Sequence, residues 1–139
     1  MNIALLAHDK KKELMIQFCI AYCGIMAGHD ICATSTTGRL VAEATGLPVT
    51  RYLSCSQGGN QQIAVRIAYN EIDLVLFFCN PQGTEAENKE VNEIERLCDQ
   101  YNIPFASNVA TAEVLIQGLQ RGDMDWRNIV NPKANKENK

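Results

Sequence analysis

The sequence predicts an α/β domain in which a parallel β-sheet is covered by helices on both faces. Short, continuous apolar runs, of which 73–79 is the strongest, are typical of strands that are buried on both sides. Segments with helical spacing separate these runs, and strands that alternate with helices form βαβ units. With 139 residues, the chain has the length of one domain with a sizeable core.

The first two strand–helix units lie near the amino terminus. Residues 2–7 are an apolar run that predicts the first strand, and a helical pattern follows from about 10 to 26. Residues 31–33 predict the second strand, and a helix follows it at about 39–44. Gly46 comes just after this helix, and glycine is common at a helix end.

The remaining units are less regular in length. Residues 51–53 predict a weak third strand, and a helix then runs from the end of loop 54–60 to about residue 70. After the fourth strand at 73–79, the last predicted elements are a helix at 89–101, a strand at 104–107 and a helix at 110–120. The polar end of the chain predicts a disordered tail at 133–139, after a domain that spans 1–132.

Composition and charge exclude several classes of partner. The formal net charge is −3, so the chain has no basic face of the kind that binds nucleic acid through its phosphates. No apolar run approaches the roughly 20 residues that cross a membrane. The opening residues carry their charges after the apolar run, unlike a signal peptide, so we expect a cytoplasmic protein.

The six cysteines predict neither disulfides nor a metal site. No CxxC pair occurs, and the chain has only two histidines. In a reducing compartment, isolated cysteines usually behave as small buried hydrophobes, and we expect that of the whole set: Cys19, Cys23, Cys32, Cys55, Cys79 and Cys98.

The segment TSTTG, residues 34–38, follows the second strand and precedes a helix. Hydroxyl groups and first-turn amides at a helix N-terminus form a cradle for an oxyanion, because the helix dipole also favours negative charge there. Thr and Ser are equally common as ordinary N-caps that satisfy these amides. The segment alone leaves both interpretations open.

Three further polar loops follow predicted strands: His8–Asp9 with the lysines after it, 54–60, and 80–90. Ligands of such sheets bind beyond the carboxyl ends of the strands, so the four loops should converge on one site. Lys12 could reach the same anion, whereas Lys10 and Lys11 fit a solvated helix face. Asp9 is either an N-cap or a functional carboxylate.

The pair Gly58-Gly59 begins the helix that is predicted between the third and the fourth strand. This pair also has two interpretations. Glycines at a helix start allow the backbone to approach a ligand phosphate closely. The same pair would also serve in a plain tight turn.

Five motifs in order resemble the methylglyoxal synthase family: AHDKKK, TSTTGRL, SQGGNQQI, FFCNP and IPFASNVATAEVLI. The resemblance covers the chain to about residue 132. It implies a three-layer α/β/α fold with a five-stranded parallel sheet, usually assembled as a homohexamer. It also implies conversion of dihydroxyacetone phosphate into methylglyoxal and inorganic phosphate, with no metal and no organic cofactor.

The resemblance assigns the residues that would bind the phosphate. They are Lys12, Thr34, Thr36, Thr37, Gly38 and Ser54, with Gly59 beside them. His8 and Asp9 match the His-Asp pair that the family has after its first strand. Ser35 and Cys55 stand where the family usually has glycine, and both add bulk to the pocket.

The chain departs from the family at the positions that transfer protons. The family's base is the aspartate of a GGDQQ motif, and Asn60 stands there; a second aspartate is replaced by Asn80. A carboxamide cannot accept the proton. Glu87 aligns with the family's histidine and Glu90 with a further aspartate.

These departures predict a protein that binds a small phosphorylated metabolite or free phosphate, with elimination weak or lost. Such a chain would be a sensor, a regulatory subunit, or a partner in a mixed oligomer with an active paralogue. The alternative is an active methylglyoxal synthase, or a lyase or isomerase for a related ester, that uses Asp9 or a glutamate as its base. A cleft that is vestigial and serves only assembly is a third possibility.

Overall fold

The computed structural model describes residues 1–130, and its sheet confirms the predicted α/β fold. Five strands pair in parallel in the order β3-β2-β1-β4-β5. Their bounds are β1 Asn2–Ala7, β2 Asp30–Ala33, β3 Val49–Arg51, β4 Leu74–Phe78 and β5 Phe105–Ala106. The two central strands, β1 and β4, are almost wholly buried, as their continuous apolar sequences predict.

Helices cover both faces of the sheet. Their bounds are α1 Lys12–Ala21, α2 Cys23–Met26, α3 Ser35–Thr45, α4 Gly59–Ala68, α5 Glu85–Tyr101, α6 Val109–Arg121 and α7 Arg127–Val130. The buried side chains of α1, α3 and α6 join one core cluster with alternate residues of the central strands. Those of α4 and α5 form the second cluster on the opposite face. The chain is therefore a three-layer α/β/α sandwich.

Two helices begin earlier than the sequence predicts. α3 starts at Ser35 instead of about 39, because the Gly38 amide already donates to the Thr34 carbonyl oxygen at 2.8 Å. α5 starts at Glu85 instead of about 89, because Thr84 and Glu87 form a capping box. The hydroxyl segment and the acidic segment are thus the first turns of helices and not loops.

Other boundaries differ by a few residues. The third strand is Val49–Arg51 and not 51–53. The long first helix is interrupted at Tyr22, whose φ of −110° and ψ of 19° leave the helical region, so it continues as the separate α2. The predicted boundary at 132 and the tail at 133–139 lie outside the described residues.

The prediction for the cysteines is correct for three buried residues, Cys19, Cys32 and Cys98, and wrong for Cys55, which is exposed. Burial raises the pKa of Cys19 and Cys98 to about 12. Cys55 is exposed because it begins a 3-10 helix in the loop after β3, outside both core clusters.

Arg127 ties α7 to the amino-terminal edge of the sheet. Its Nε donates to Asp73 Oδ1 at 3.2 Å, and Asp73 Oδ2 accepts from the amide of Asn2. The remaining guanidinium donors reach Asn70 Oδ1 and the carbonyl oxygens of Ile72, Tyr101 and Asn102. The guanidinium is completely buried and all five of its N–H groups have acceptors. We call this group the Arg127 clamp.

Within residues 1–130, no helix combines the length and the apolar character that crossing a membrane requires.

Candidate functional site

The loops after β1, β2, β3 and β4 meet at the carboxyl edge of the sheet and enclose two neighbouring cavities. We call the first the hydroxyl cavity; its volume is about 220 Å³ and its lining is Asp9, Lys12, Thr34, Thr36, Ser54, Cys55 and Ser56. The second, the carboxylate cavity, has a volume of about 170 Å³. Asp9 and Cys55 line both cavities, so the two spaces adjoin at these side chains.

Lys12 supplies the positive charge of the hydroxyl cavity. Its Nζ donates to the Ala7 carbonyl oxygen at 3.0 Å and pairs with Asp9 Oδ1 at 3.1 Å. These two contacts hold the ammonium, whose side chain is 16% exposed, at the end of β1. An ammonium has three N–H donors, so one is left over for an anion in the cavity.

The start of α3 supplies the hydroxyl groups. Thr34 is the N-cap residue, but its side chain makes no capping hydrogen bond, and it lines the cavity together with Thr36. Thr37 is 1% exposed, and its Oγ1 has no hydrogen-bond partner among the described residues. The amides of Thr36 and Thr37 lie in the first turn, where no intrahelical acceptor exists. A helix start with hydroxyls that do not cap it is suited to an oxyanion.

The loop after β3 closes the other side of the hydroxyl cavity. Ser54 and Ser56 both line it, and their hydroxyl oxygens are 3.2 Å apart. Ser56 did not figure among the predicted site residues, although its spacing of two residues from Ser54 in one loop is a signal for it.

The two predicted glycines serve helix packing. A Cβ on Gly59 would lie 1.9 Å from the Leu53 carbonyl oxygen, and the Gly59 amide donates to the Ser54 carbonyl oxygen at 2.9 Å. A Cβ on Gly38 would lie 2.7 Å from Arg51 Cγ. Neither glycine is among the residues that line the hydroxyl cavity in the described chain. Because Gly59 has no side chain, α4 can approach the loop that carries Leu53. Because Gly38 has none, α3 can approach Arg51 of β3.

The carboxylate cavity has one apolar wall and one polar wall. The apolar wall is Leu6, Ala7, Phe77 and Val91. The polar wall is His8, Asp9, Cys55, Asn60, Cys79, Asn80, Glu87, Asn88 and Glu90. All six residues predicted for the proton-transfer part of the site therefore line one cavity. Cys79 and Asn88 were missed, since a thiol just after a strand and an amide near the start of a helix have no distinguishing sequence signal.

His8 and Glu87 form a hydrogen-bonded pair in this cavity. His8 Nδ1 accepts from the Lys10 amide at 3.1 Å, so Nε2 faces the Glu87 carboxylate, with which it is in contact. Glu87 Oε1 accepts from the Thr84 amide at 3.0 Å, and the Thr84 hydroxyl accepts from the Glu87 amide. The Thr84 hydrogen bonds lower the pKa of Glu87, and His8 lowers it further. Both oxygens of Glu87 are therefore engaged.

Asn60 joins Cys55 to Glu90. The Asn60 side chain is buried at the start of α4, and its Oδ1 accepts from Cys55 Sγ at 3.4 Å. Its Nδ2 donates to Glu90 Oε2 at 3.2 Å, across the contact between α4 and α5. Asn80 Oδ1 accepts from the Gln82 amide at 3.1 Å, which holds the turn after β4. Within residues 1–130, no cluster of three potential ligands could hold a metal ion.

The arrangement can bind an anion in one cavity and accept a proton in the other. The hydroxyl cavity offers an ammonium, hydroxyls and helix amides, which are the groups that suit a phosphate. The carboxylate cavity offers Asp9, Glu87 and Glu90 as acceptors for a proton.

The model of the family described as MGS-like domain matches residues 16–107. The methylglyoxal synthase of Caldicellulosiruptor saccharolyticus is 58% identical over 136 residues, which are 98% of this chain and 96% of that protein. The methylglyoxal synthase of Geobacillus thermodenitrificans is 49% identical over 134 residues, or 96% and 93% of the two chains.

The fold has a counterpart among solved structures. The crystal structure of methylglyoxal synthase from Elizabethkingia anophelis matches with a TM-score of 0.73 and 35% sequence identity. The match covers 83% of this chain and 76% of that chain.

Proposed function

Because this chain belongs to the MGS-like domain family, we propose that it is an active methylglyoxal synthase, a lyase acting on dihydroxyacetone phosphate. The observation that carries the proposal is the junction of the two cavities at Asp9 and Cys55. A ligand that spans this junction has its phosphate among hydroxyls and an ammonium, and its carbon chain among carboxylates. A three-carbon phosphate ester has this division of chemistry.

In this proposal the hydroxyl cavity binds the phosphate. Lys12 donates one hydrogen bond to a phosphate oxygen while it stays anchored to the Ala7 carbonyl oxygen. Thr34, Thr36 and Ser54 offer hydroxyls, and the first-turn amides of α3 offer N–H groups. The same interactions stabilise the phosphate as it leaves, because charge accumulates on it when the carbon–oxygen bond breaks.

The reaction needs a carboxylate to remove a proton from the carbon next to the carbonyl group. The electron pair of that C–H bond moves toward the carbonyl oxygen and gives an enediolate. The hydroxyl proton of the enediolate passes to the phosphate as the carbon–oxygen bond to phosphate breaks. The product is the enolate of 2-hydroxypropenal, which becomes methylglyoxal when its CH₂ carbon takes a proton. Asp9, Glu87 and Glu90 are the carboxylates within the cavity that receives the carbon chain.

We predicted from Asn60 that phosphate elimination is weak or lost. The comparisons do not support that prediction. The relatives, at 49% and 58% identity, are named methylglyoxal synthase, which favours the active-enzyme alternative. A role restricted to binding phosphate esters would leave the acidic residues of the carboxylate cavity without a function.

The proposal is tested by methylglyoxal release from dihydroxyacetone phosphate, measured against a reaction without protein. We expect turnover by the unmodified chain and a KM raised about 10- to 100-fold in Lys12→Met, which loses a charged hydrogen bond to phosphate. Lys10→Met is the matched control, since Lys10 is exposed and only its backbone amide contacts the site.

Release of methylglyoxal no faster than in the reaction without protein, from a chain that is folded by circular dichroism, would contradict the proposal. If phosphate still raised the melting temperature of that inactive chain, the hypothesis of a protein that only binds phosphate compounds would replace the hypothesis of an active enzyme. Assembly as a homohexamer belongs to the same proposal, and light scattering after gel filtration measures the subunit count.

A further inference from the structure

Three carboxylates line the carboxylate cavity, but two of them already have strong partners. Asp9 Oδ1 is paired with the Lys12 ammonium at 3.1 Å, and its side chain is 92% exposed. Glu87 contacts the His8 ring through Oε2 and accepts from the Thr84 amide through Oε1. Glu87 has both oxygens engaged, so it cannot accept a proton without first losing a partner. Asp9 is held by Lys12 beside the hydroxyl cavity, and its side chain is open to solvent.

Glu90 is in a different situation. Its Oε2 accepts one hydrogen bond, from Asn60 Nδ2 at 3.2 Å. Its Oε1 makes no hydrogen bond or ion pair with any of the residues that the structure describes. The side chain lies one helical turn after Glu87 on α5, beside Val91 and the rest of the apolar wall. One oxygen is thus held in place, and the other is available to a substrate.

The side chain of Asn60 has a fixed orientation. Its Oδ1 faces the Cys55 thiol at 3.4 Å, so its Nδ2 is directed at Glu90. Asn60 is 4% exposed and lies in the first turn of α4, which packs against α5. The buried amide therefore acts as a rigid link between the loop that carries Cys55 and the helix that carries Glu90.

From this geometry we propose that Glu90 is the base that removes the proton from the substrate carbon, and that Asn60 is the positioning residue that holds it. The assignment rests on the proposed function. It gives the carboxamide at position 60 a role that a proton acceptor could not have, since an amide N–H donates to an ionised carboxylate and an ionised aspartate has no donor.

The proposed step is balanced within the site. Glu90 Oε1 forms a bond to the proton as the C–H bond of the substrate breaks, and the electron pair moves toward the carbonyl oxygen to give the enediolate. The remaining hydroxyl proton of the enediolate passes to the departing phosphate. Glu90, now a neutral carboxylic acid, returns its proton to the terminal CH₂ carbon of the enolate that is left, which gives methylglyoxal. No oxidant or reductant is needed.

The first experiment measures kcat and KM for dihydroxyacetone phosphate in three variants. Glu90→Gln keeps the size and the acceptor oxygen for Asn60 but cannot take a proton, so kcat should fall about 10²- to 10⁴-fold with little change in KM. Glu93→Gln is the control, because Glu93 is exposed on the same helix outside the carboxylate cavity. Asp9→Asn tests the rival base and should lose far less in kcat than Glu90→Gln.

The second experiment tests Asn60 through the pH profile. Asn60→Asp places two carboxyl groups within hydrogen-bonding distance, and such a pair shares one proton and loses it at a raised pH. The acid side of the kcat profile should therefore gain a second ionisation at higher pH than in the unmodified chain. The other titratable groups that face this position are His8 and Asp9 after β1, Cys55 after β3, Cys79 after β4 and Glu87 on α5.

The outcomes separate the two proposals. A folded, unmodified chain without turnover overturns the proposed function and this assignment together. Turnover by the unmodified chain, with Glu90→Gln equally active or with Asp9→Asn carrying the large loss, overturns only the assignment of Glu90. An Asn60→Asp profile that is the same as that of the unmodified chain overturns the positioning role of Asn60.

Discussion

At the scale of single residues, Thr37 is in an unfavourable position unless a ligand is present. Its hydroxyl is buried and has no partner among the described residues, and an unsatisfied buried donor costs about 1 to 3 kcal/mol. The chain keeps this hydroxyl at the start of a helix, one residue after Thr36, which lines the hydroxyl cavity. We therefore expect that an anion at this helix start would give the Thr37 hydroxyl the hydrogen-bond partner that it lacks.

Thr37→Val should raise the free energy of unfolding by about 1 kcal/mol, because it replaces the unsatisfied hydroxyl with a methyl group. It should also reduce the rise in melting temperature that phosphate produces. Urea denaturation and thermal shift measure the two effects. Thr50→Val, at an exposed position of the edge strand β3, is the control and should change neither. A loss of stability in Thr37→Val would show that the hydroxyl already has a partner in the free protein.

At the same scale, the sequence could not predict which side chains pair with each other. Residue types and their positions after strands indicated which side chains would gather at the carboxyl edge. They could not indicate that Asn60 is bonded to Glu90 and His8 to Glu87, since these partners are 30 and 79 residues apart. Such pairings depend on how α4, α5 and β1 pack against each other.

At the scale of elements, the buried strands were predictable and the starts of two helices, α3 and α5, were not. Buried apolar runs identify β1 and β4 because only a parallel sheet covered on both faces needs them. The first turns of α3 and α5 are polar and resemble loops in sequence. For α5 a usable signal existed, since Thr84 followed by Glu87 three residues later has the pattern of a capping box.

Thr84→Ala should lower the free energy of unfolding by about 1 kcal/mol at neutral pH, because it removes the N-cap of α5. The hydrogen bonds of Thr84 lower the pKa of Glu87 in the folded state. Their contribution is therefore complete above the pKa of an unfolded glutamate and disappears as the pH falls through the lowered value. Thr84→Ala keeps the backbone amide that donates to Glu87 Oε1, so denaturation curves of the two proteins should show a stability difference that narrows from neutral to acidic pH without disappearing.

Thr84→Ser is the matched variant, since it keeps the oxygen that accepts from the Glu87 amide. Its stability should stay close to that of the unmodified chain over the whole pH range. A constant difference between Thr84→Ala and the unmodified chain at all pH values would contradict the coupling to Glu87.

At the scale of the whole molecule, the Arg127 clamp connects parts of the chain that are far apart in sequence. It joins α7 to Asp73 before β4, to the end of α5 and, through Asp73, to the start of β1. A buried ion pair that loses one partner leaves an uncompensated charge, which costs about 3 to 5 kcal/mol. This is a large part of the 5 to 15 kcal/mol that stabilises a typical domain.

Arg127→Met should therefore lower the free energy of unfolding by about 3 to 5 kcal/mol, as urea denaturation would measure. Arg121→Met is the control, because Arg121 forms an exposed pair with Asp123 and should lose less than about 1 kcal/mol. At a temperature where Arg127→Met is still folded, its KM for dihydroxyacetone phosphate should equal that of the unmodified chain. A changed KM would mean that the clamp influences the cavities.

The location of that clamp has a consequence for how the molecule can diverge. In a parallel sheet every strand begins at one side and ends at the other, so the Arg127 clamp and the loops that line the two cavities lie at opposite ends of the strands. Substitutions that raise thermal stability can accumulate near the clamp, and substitutions that alter the chemistry can accumulate in the loops around the cavities. The two kinds of substitution need not affect each other, since the rigid strands keep the clamp and the cavities at a fixed distance.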